Sequence, residues 1–152
     1  MRVARTAAVF YDDFGQTNPR HRMNDIATTM KLNHLSFPSN DIAATTRFFV
    51  EHLGCAATEY PGMSMVRRPG FDIVIEQAKD FQVEWPHNFH VGFELPTAAD
   101  VQAMYDRLKA DGVKMQTEVF SHDRGSRFFC VAPGGLLFEI NTRADAKDFV
   151  RG

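Results

Sequence analysis

Long apolar runs, charge of one sign and cysteine are all scarce in this chain, and each scarcity excludes a class of protein. No stretch approaches the roughly 18 consecutive apolar residues of a membrane span. Lys plus Arg number 17 and Asp plus Glu 19, a formal net charge of −2, so no long-range field draws in nucleic acid. The two cysteines, Cys55 and Cys130, lie far apart without CxxC spacing. That fits reduced, buried thiols in a cytoplasmic protein better than a disulfide framework. Met1 to Thr6 is basic, but Phe10-Tyr11-Asp12-Asp13 cuts short the apolar core that a signal peptide needs. What the chain does have is apolar mass. At 152 residues, with 44% apolar side chains and 14 Phe, it can bury the core of one domain or of two small modules sharing one core.

Residues 1–31 read as an extension. They carry Gly15, Pro19 and the basic run Arg20-His21-Arg22 and show no sustained period of 2 or 3.6. They suit packing on the domain or on a partner subunit through Val9, Phe10, Tyr11 and Phe14, or accessory sequence. From Leu32 the chain becomes regular. Leu32 to Phe37 alternates as a strand, Pro38-Ser39-Asn40 stops it, and Ser39 or Asn40 can cap a helix. Ile42, Phe49 and Leu53 share one helical face, and Gly54 suits the left-handed position after it. Strand-like runs follow at about Cys55–Tyr60, Met63–Arg67 and Phe71–Gln77, with Pro61-Gly62 and Pro69-Gly70 as turns.

The pattern then repeats. Phe89 to Leu95 is a strand, and Thr97 with Asp100 resembles a capping box. Val101, Met104, Tyr105 and Leu108 make a helical stripe ended by Gly112. Runs at about Val113–Phe120, Arg127–Val131 and Leu136–Asn141 complete the second unit. Equivalent residues keep a slowly growing offset: His34 with His90, Ser39 with Thr97, Gly54 with Gly112, Glu76 with Glu139. The expected architecture is α+β. Two βαβββ modules, about 32–77 and about 88–141, fill a domain at 32–143, before a tail at 144–152. The modules would pair into a shared curved sheet or barrel with the helices outside.

Strand phase then selects residues. His34 and Ser36 oppose Leu35 and Phe37; His90 opposes Phe89 and Val91; Glu76 opposes Ile73 and Ile75; Glu139 opposes Phe138 and Ile140. With the apolar sets turned to the helices, His34, Glu76, His90 and Glu139 all fall on the other face, at equivalent places. Any one of them alone suits a satisfied polar position inside a barrel. Four in phase suit a borderline divalent ion, Zn²⁺, Ni²⁺, Fe²⁺, Mn²⁺ or Co²⁺. His122, Arg124 and Arg127 lie together in a loop near the barrel mouth. There a guanidinium can hold a carboxylate or phosphate and His122 can move a proton. Arg67, at the end of its strand, is a weaker substrate contact.

Over about Leu32 to Arg143 the sequence resembles the vicinal oxygen chelate superfamily, which includes glyoxalase I, extradiol dioxygenases, fosfomycin resistance proteins and bleomycin-binding proteins. The resemblance is strongest in Leu32-Asn33-His34-Leu35-Ser36 with Phe48-Phe49-Val50-Glu51-His52-Leu53-Gly54. It is equally strong in the run from Arg127 through Pro133-Gly134-Gly135 to Glu139. It implies His34, His90 and Glu139 as metal ligands, with Glu76 as the fourth of the glyoxalase-like variant. It also implies a homodimer whose site can combine modules from two chains. The implied chemistry is lyase, isomerase or dioxygenase action on a small substrate with two neighbouring oxygens, with Glu139 or Glu76 as proton shuttle. Glutathione is not implied, because the family's Arg and Asn positions for it hold Pro38 and Asp80 here. The extradiol Tyr position holds Phe128. The alternative is a non-enzymatic, drug-binding dimer of the bleomycin-resistance kind, with Phe81, Trp85 and Phe89 as stacking surface.

Overall fold

In the computed structural model, which describes residues 28–147, strand β1 (His34–Ser39) buries Phe37 and Ser39 and leaves His34 and Ser36 exposed. The chain divides into two compact units, Met1–Asn33 and His34–Gly152, and the second holds both modules. Val9, Phe10, Tyr11 and Phe14 of the extension lie outside the described residues, as does the end of the tail.

Helix α1 (Ile42–Leu53) is capped by Asp41, whose carboxylate accepts the amide of Ala44. The expected caps have other work. Ser39 Oγ accepts the Asp41 amide. The Asn40 side chain accepts the Val83 amide and donates to the Phe81 carbonyl. Gly54 closes the helix at φ 64°, where a Cβ would be strained. Strands β2 (Ala56–Tyr60), β3 (Met63–Arg68) and β4 (Phe71–Gln77) complete the first module, with sheet order β1-β4-β3-β2 and a parallel β1–β4 pair.

The second module repeats this with β5 (His90–Glu94), α2 (Ala98–Ala110), β6 (Lys114–Met115), β7 (Phe120–His122), β8 (Gly125–Val131) and β9 (Leu137–Asn141). Its order is β5-β9-β8-β6, with β5 parallel to β9 and β7 also on β8. Thr97 caps α2, accepting the Asp100 amide as expected. The single strand expected over Val113–Phe120 is instead two. The amides of Gln116 and Thr117 both donate to the Phe129 carbonyl, so the partner strand is bulged and its pairing interrupted.

The helices lie against the sheet faces opposite the candidate His and Glu residues, as the strand phases require. How the modules meet is a further finding. Phe49 of α1 packs on Phe37 of β1 at 6.3 Å and on Phe138 of β9 at 5.3 Å, and Phe48 lies 5.4 Å from the same Phe138 ring. The Arg68 guanidinium lies over the Phe93 ring, and Arg107 donates to the His52 carbonyl. Within one chain the modules therefore join through their helical, apolar faces. Among the described residues no ladder links the two sheets, and β1 and β5 remain edge strands. The shared barrel is not closed by one chain alone.

Both thiols are free and buried. Burial pushes the Cys130 thiol up to about 11 and raises that of Cys55, against a smaller lowering by Arg68. No helix among the described residues is long and apolar enough to cross a membrane. Because fully buried Phe49 bridges the modules, Phe49→Ala is expected to lower stability by about 3–5 kcal/mol. Urea denaturation by circular dichroism checks this, and a loss within that of a surface substitution would refute the bridging role.

Candidate functional site

Each sheet presents one open face. On the first, the β1–β4 register sets Ser36 beside Val74 and Pro38 beside Glu76. Ser36 Oγ donates to Glu76 Oε1 at 2.6 Å, so the Glu76 carboxylate is held on that face while remaining exposed. His34 lies on the same face one strand repeat away. Arg67 shares it too, braced by Nη1 to Thr58 Oγ1 and by Nη2 to the Met65 sulfur.

On the second sheet the face forms a groove of about 880 Å³. His90, Glu139, Arg127, His122 and Arg124 all line it. The His90 ring is oriented from behind: Nδ1 lies 2.7 Å from the Asn88 carbonyl, a pure acceptor, so Nδ1 carries the proton. Asn88 is the one described non-glycine residue at positive φ, 66°, a conformation Asn tolerates well. In the neutral ring Nε2 is then the lone-pair nitrogen, and it lies 3.3 Å from Glu139 Oε2. That contact suits either a second ring proton, which makes it an ion pair, or a metal held by both atoms. Neighbouring ligands about 2.0–2.2 Å from one divalent ion are themselves roughly 3 Å apart. The donor set therefore fits a borderline metal, and the backbone partner behind His90 is the arrangement that fixes ligating imidazoles.

Glu139 is 6% exposed and Arg127 7%. Arg127 Nη1 donates to Glu139 Oε1 at 3.1 Å, and Nε and Nη2 donate to the Gly125 carbonyl. Its fork is thus engaged within the protein, holding Glu139 with one oxygen toward His90. The hairpin beneath is tightly fixed. A Cβ at Gly125 would meet the Thr142 carbonyl at 2.0 Å, at φ +95°, so glycine alone fits. Ser126 donates through its amide and hydroxyl to the Asp145 carboxylate. These bonds, the hydroxyl's first, hold the Asp145 carboxyl below the ordinary aspartate range.

The structure brings His90, Glu139 and Arg127 together in one place and Glu76 with Ser36 in another. Among the described residues no three His, Cys, Asp or Glu side chains gather in one chain to hold a metal. Trp85 and Phe89 line the groove as a stacked pair, centroids 5.4 Å apart at 8°, whereas Phe81 is not among its lining residues. His87 lines it as well. His52 packs on Phe48 and lies 3.6 Å from Asp111, away from the groove. Sequence reasoning missed Asn88, Lys114 and Asp145. Lys114 reaches the groove opposite Val131 across β6–β8, a register that the sequence alone does not display.

The family model described as the glyoxalase/bleomycin resistance protein/dioxygenase superfamily matches residues 31–140. No curated protein matches the chain. Among solved structures, one described as a possible glyoxalase from Bacillus cereus is 27% identical, covers 74% of this chain and 99% of its own, and superposes with a TM-score of 0.65. A genomically encoded fosfomycin resistance protein, FosX, of Listeria monocytogenes is 21% identical over 81% of this chain and 98% of its own, at 0.66. A glyoxalase/bleomycin resistance protein/dioxygenase from Nocardioides is 18% identical over 85% and 97%, at 0.64. The last two likenesses speak to fold alone.

Removing one member of a buried ion pair strands the other. Arg127→Met is therefore expected to cost about 3–5 kcal/mol in metal-free protein, and Arg127→Met with Glu139→Leu is expected to recover over half of it. Additive losses in urea denaturation would show that the pair is not coupled. Asp145 adds a pH dependence. Its carboxyl is lowered on folding, so its contribution is present above the ordinary aspartate range and lost as pH falls through the lowered value. The stability gap between wild type and Asp145→Asn should narrow on acidification; a constant gap in denaturation midpoints would contradict this.

Proposed function

The chain belongs to the glyoxalase/bleomycin resistance protein/dioxygenase superfamily, and on that premise we propose that it is a metal-dependent enzyme whose site is completed by two copies of the chain. His90 and Glu139 of one copy would hold a divalent ion together with His34 and Glu76 of the second. The observation that carries this reading is the His90–Glu139 pair, an imidazole nitrogen and a carboxylate oxygen 3.3 Å apart, with the ring oriented by the Asn88 carbonyl. The unclosed barrel supports the two-chain arrangement: each copy leaves edge strands and an open His/Glu face for another to cover. When bound, the ion supplies Lewis acidity toward two neighbouring oxygens of a small substrate, in lyase, isomerase or dioxygenase chemistry.

The chain's own groups then divide the remaining work. Arg127 keeps Glu139 oriented and offsets its charge, and so acts as a positioning residue, not as a substrate contact. Glu76, exposed and bonded only through one oxygen to Ser36 among its described side-chain partners, can turn to accept or return a proton at a substrate carbon or oxygen. His122, on the groove wall, is a second proton carrier. Arg124 is the guanidinium left to meet an anionic substrate group, and Arg67 the corresponding one on the first module's face. A second reading, ligand sequestration without turnover, is favoured by the stacked Trp85–Phe89 pair; it requires binding unaffected by metal removal.

Mixing variants tests the reading. His34→Ala and His90→Ala proteins alone should each bind metal at least tenfold more weakly than wild type. Unfolded and refolded together, they should regain about a quarter of the wild-type sites, since half the dimers are mixed and each has one intact site. Elemental analysis after dialysis measures this. No regain would refute the two-chain site, and no metal bound by wild type would refute the metal.

A further inference from the structure

We infer that the groove on the second module selects a flat aromatic acid: a ring system to stack and one anionic head. The inference rests on the reading above for the location of the site, and it names the ligand class from two features that do not involve a metal.

The first feature is aromatic. Trp85 with Phe89, and Phe120 with Phe129, make two near-parallel ring pairs, at 8° and 23°, on the groove wall. Phe89 is 40% and Phe120 39% exposed. Ring faces left open to water inside a concavity gain by covering with another flat apolar surface. The volume of about 880 Å³ lies in the range of small-molecule sites.

The second feature is charge. Lys114, Arg124, Arg127 and Glu139 are the Lys, Arg, Asp and Glu residues that line the groove. Arg127 and Glu139 cancel each other in their buried pair. Lys114 and Arg124 remain, and neither side chain has an ion-pair or hydrogen-bond partner among the described residues. The groove is therefore positive in a chain whose formal net charge is −2. Positive charge beside stacking surface favours an anionic ring compound over its neutral or cationic counterpart.

Three naphthalene probes of one shape test this by isothermal titration in chelator-treated protein: 2-naphthoate, neutral 2-naphthamide and cationic 2-naphthylmethylamine. The expected order is naphthoate at least tenfold tighter than naphthamide, with the amine weakest. Raising salt should erode the difference. Lys114→Gln with Arg124→Gln should abolish the preference while leaving naphthamide affinity unchanged, and Phe120→Ala should weaken both probes. Equal affinity for acid and amide, a preference that survives the double variant, or no binding of any probe at millimolar concentration overturns the inference. Adding Zn²⁺ separates it from the metal reading. A preference present without metal, in protein that binds none, would keep the ligand class and refute the metal. A preference that appears only with Zn²⁺ would keep the metal and refute selection by Lys114 and Arg124.

Discussion

The packing of Phe48 and Phe49 onto Phe138 decides what the rest of the molecule can do. Both modules have an apolar face behind their sheets, and hydrophobic burial is satisfied most fully when those faces cover each other. Once that contact forms, the opposite sheet faces are turned away from the interior. The polar residues on them then line the open faces, some exposed, such as Glu76, and some enclosed, such as Arg127 and Glu139. The core and the site are thus two sides of the same strands, separated only by the alternation of side chains.

Much of this was legible from the sequence because it depends on short periods. Alternation in β1, β4, β5 and β9 separated His34, Glu76, His90 and Glu139 from the apolar residues, and the recurrence of turn and cap residues exposed the two modules. What was not legible depends on register or on which apolar surfaces meet. Arg127 stands directly across from Asn141, and it reaches Glu139 only as a diagonal neighbour, so their pairing needs the strand alignment. The bulge at Gln116 and Thr117 is set by one carbonyl on a different strand. Periodicity marks a face as apolar without naming its partner, so the helical contact between modules lay beyond it.

The electrostatics of the second face follow the same logic. A carboxylate as enclosed as Glu139 needs a permanent cation nearby, and Arg127 supplies it from an adjacent strand. The guanidinium cannot move off without leaving that charge bare. Arg124, three residues earlier on the hairpin, has no such tie. Two arginines of one hairpin, Arg124 at its turn and Arg127 in β8, are thereby given opposite freedoms by burial alone.

Asn88 shows how indirectly a reactive atom can be specified. Its main-chain carbonyl meets His90 Nδ1, from a left-handed backbone position with φ 66°. Which nitrogen of the imidazole is basic is thus written into a backbone angle two residues upstream. Drift at this position should be tolerated toward Gly or Asp and resisted toward Val, Ile or Thr, whose branched carbons disfavour the left-handed region. The selection would act on the shape of the main chain, and the tautomer of His90 would be inherited through it.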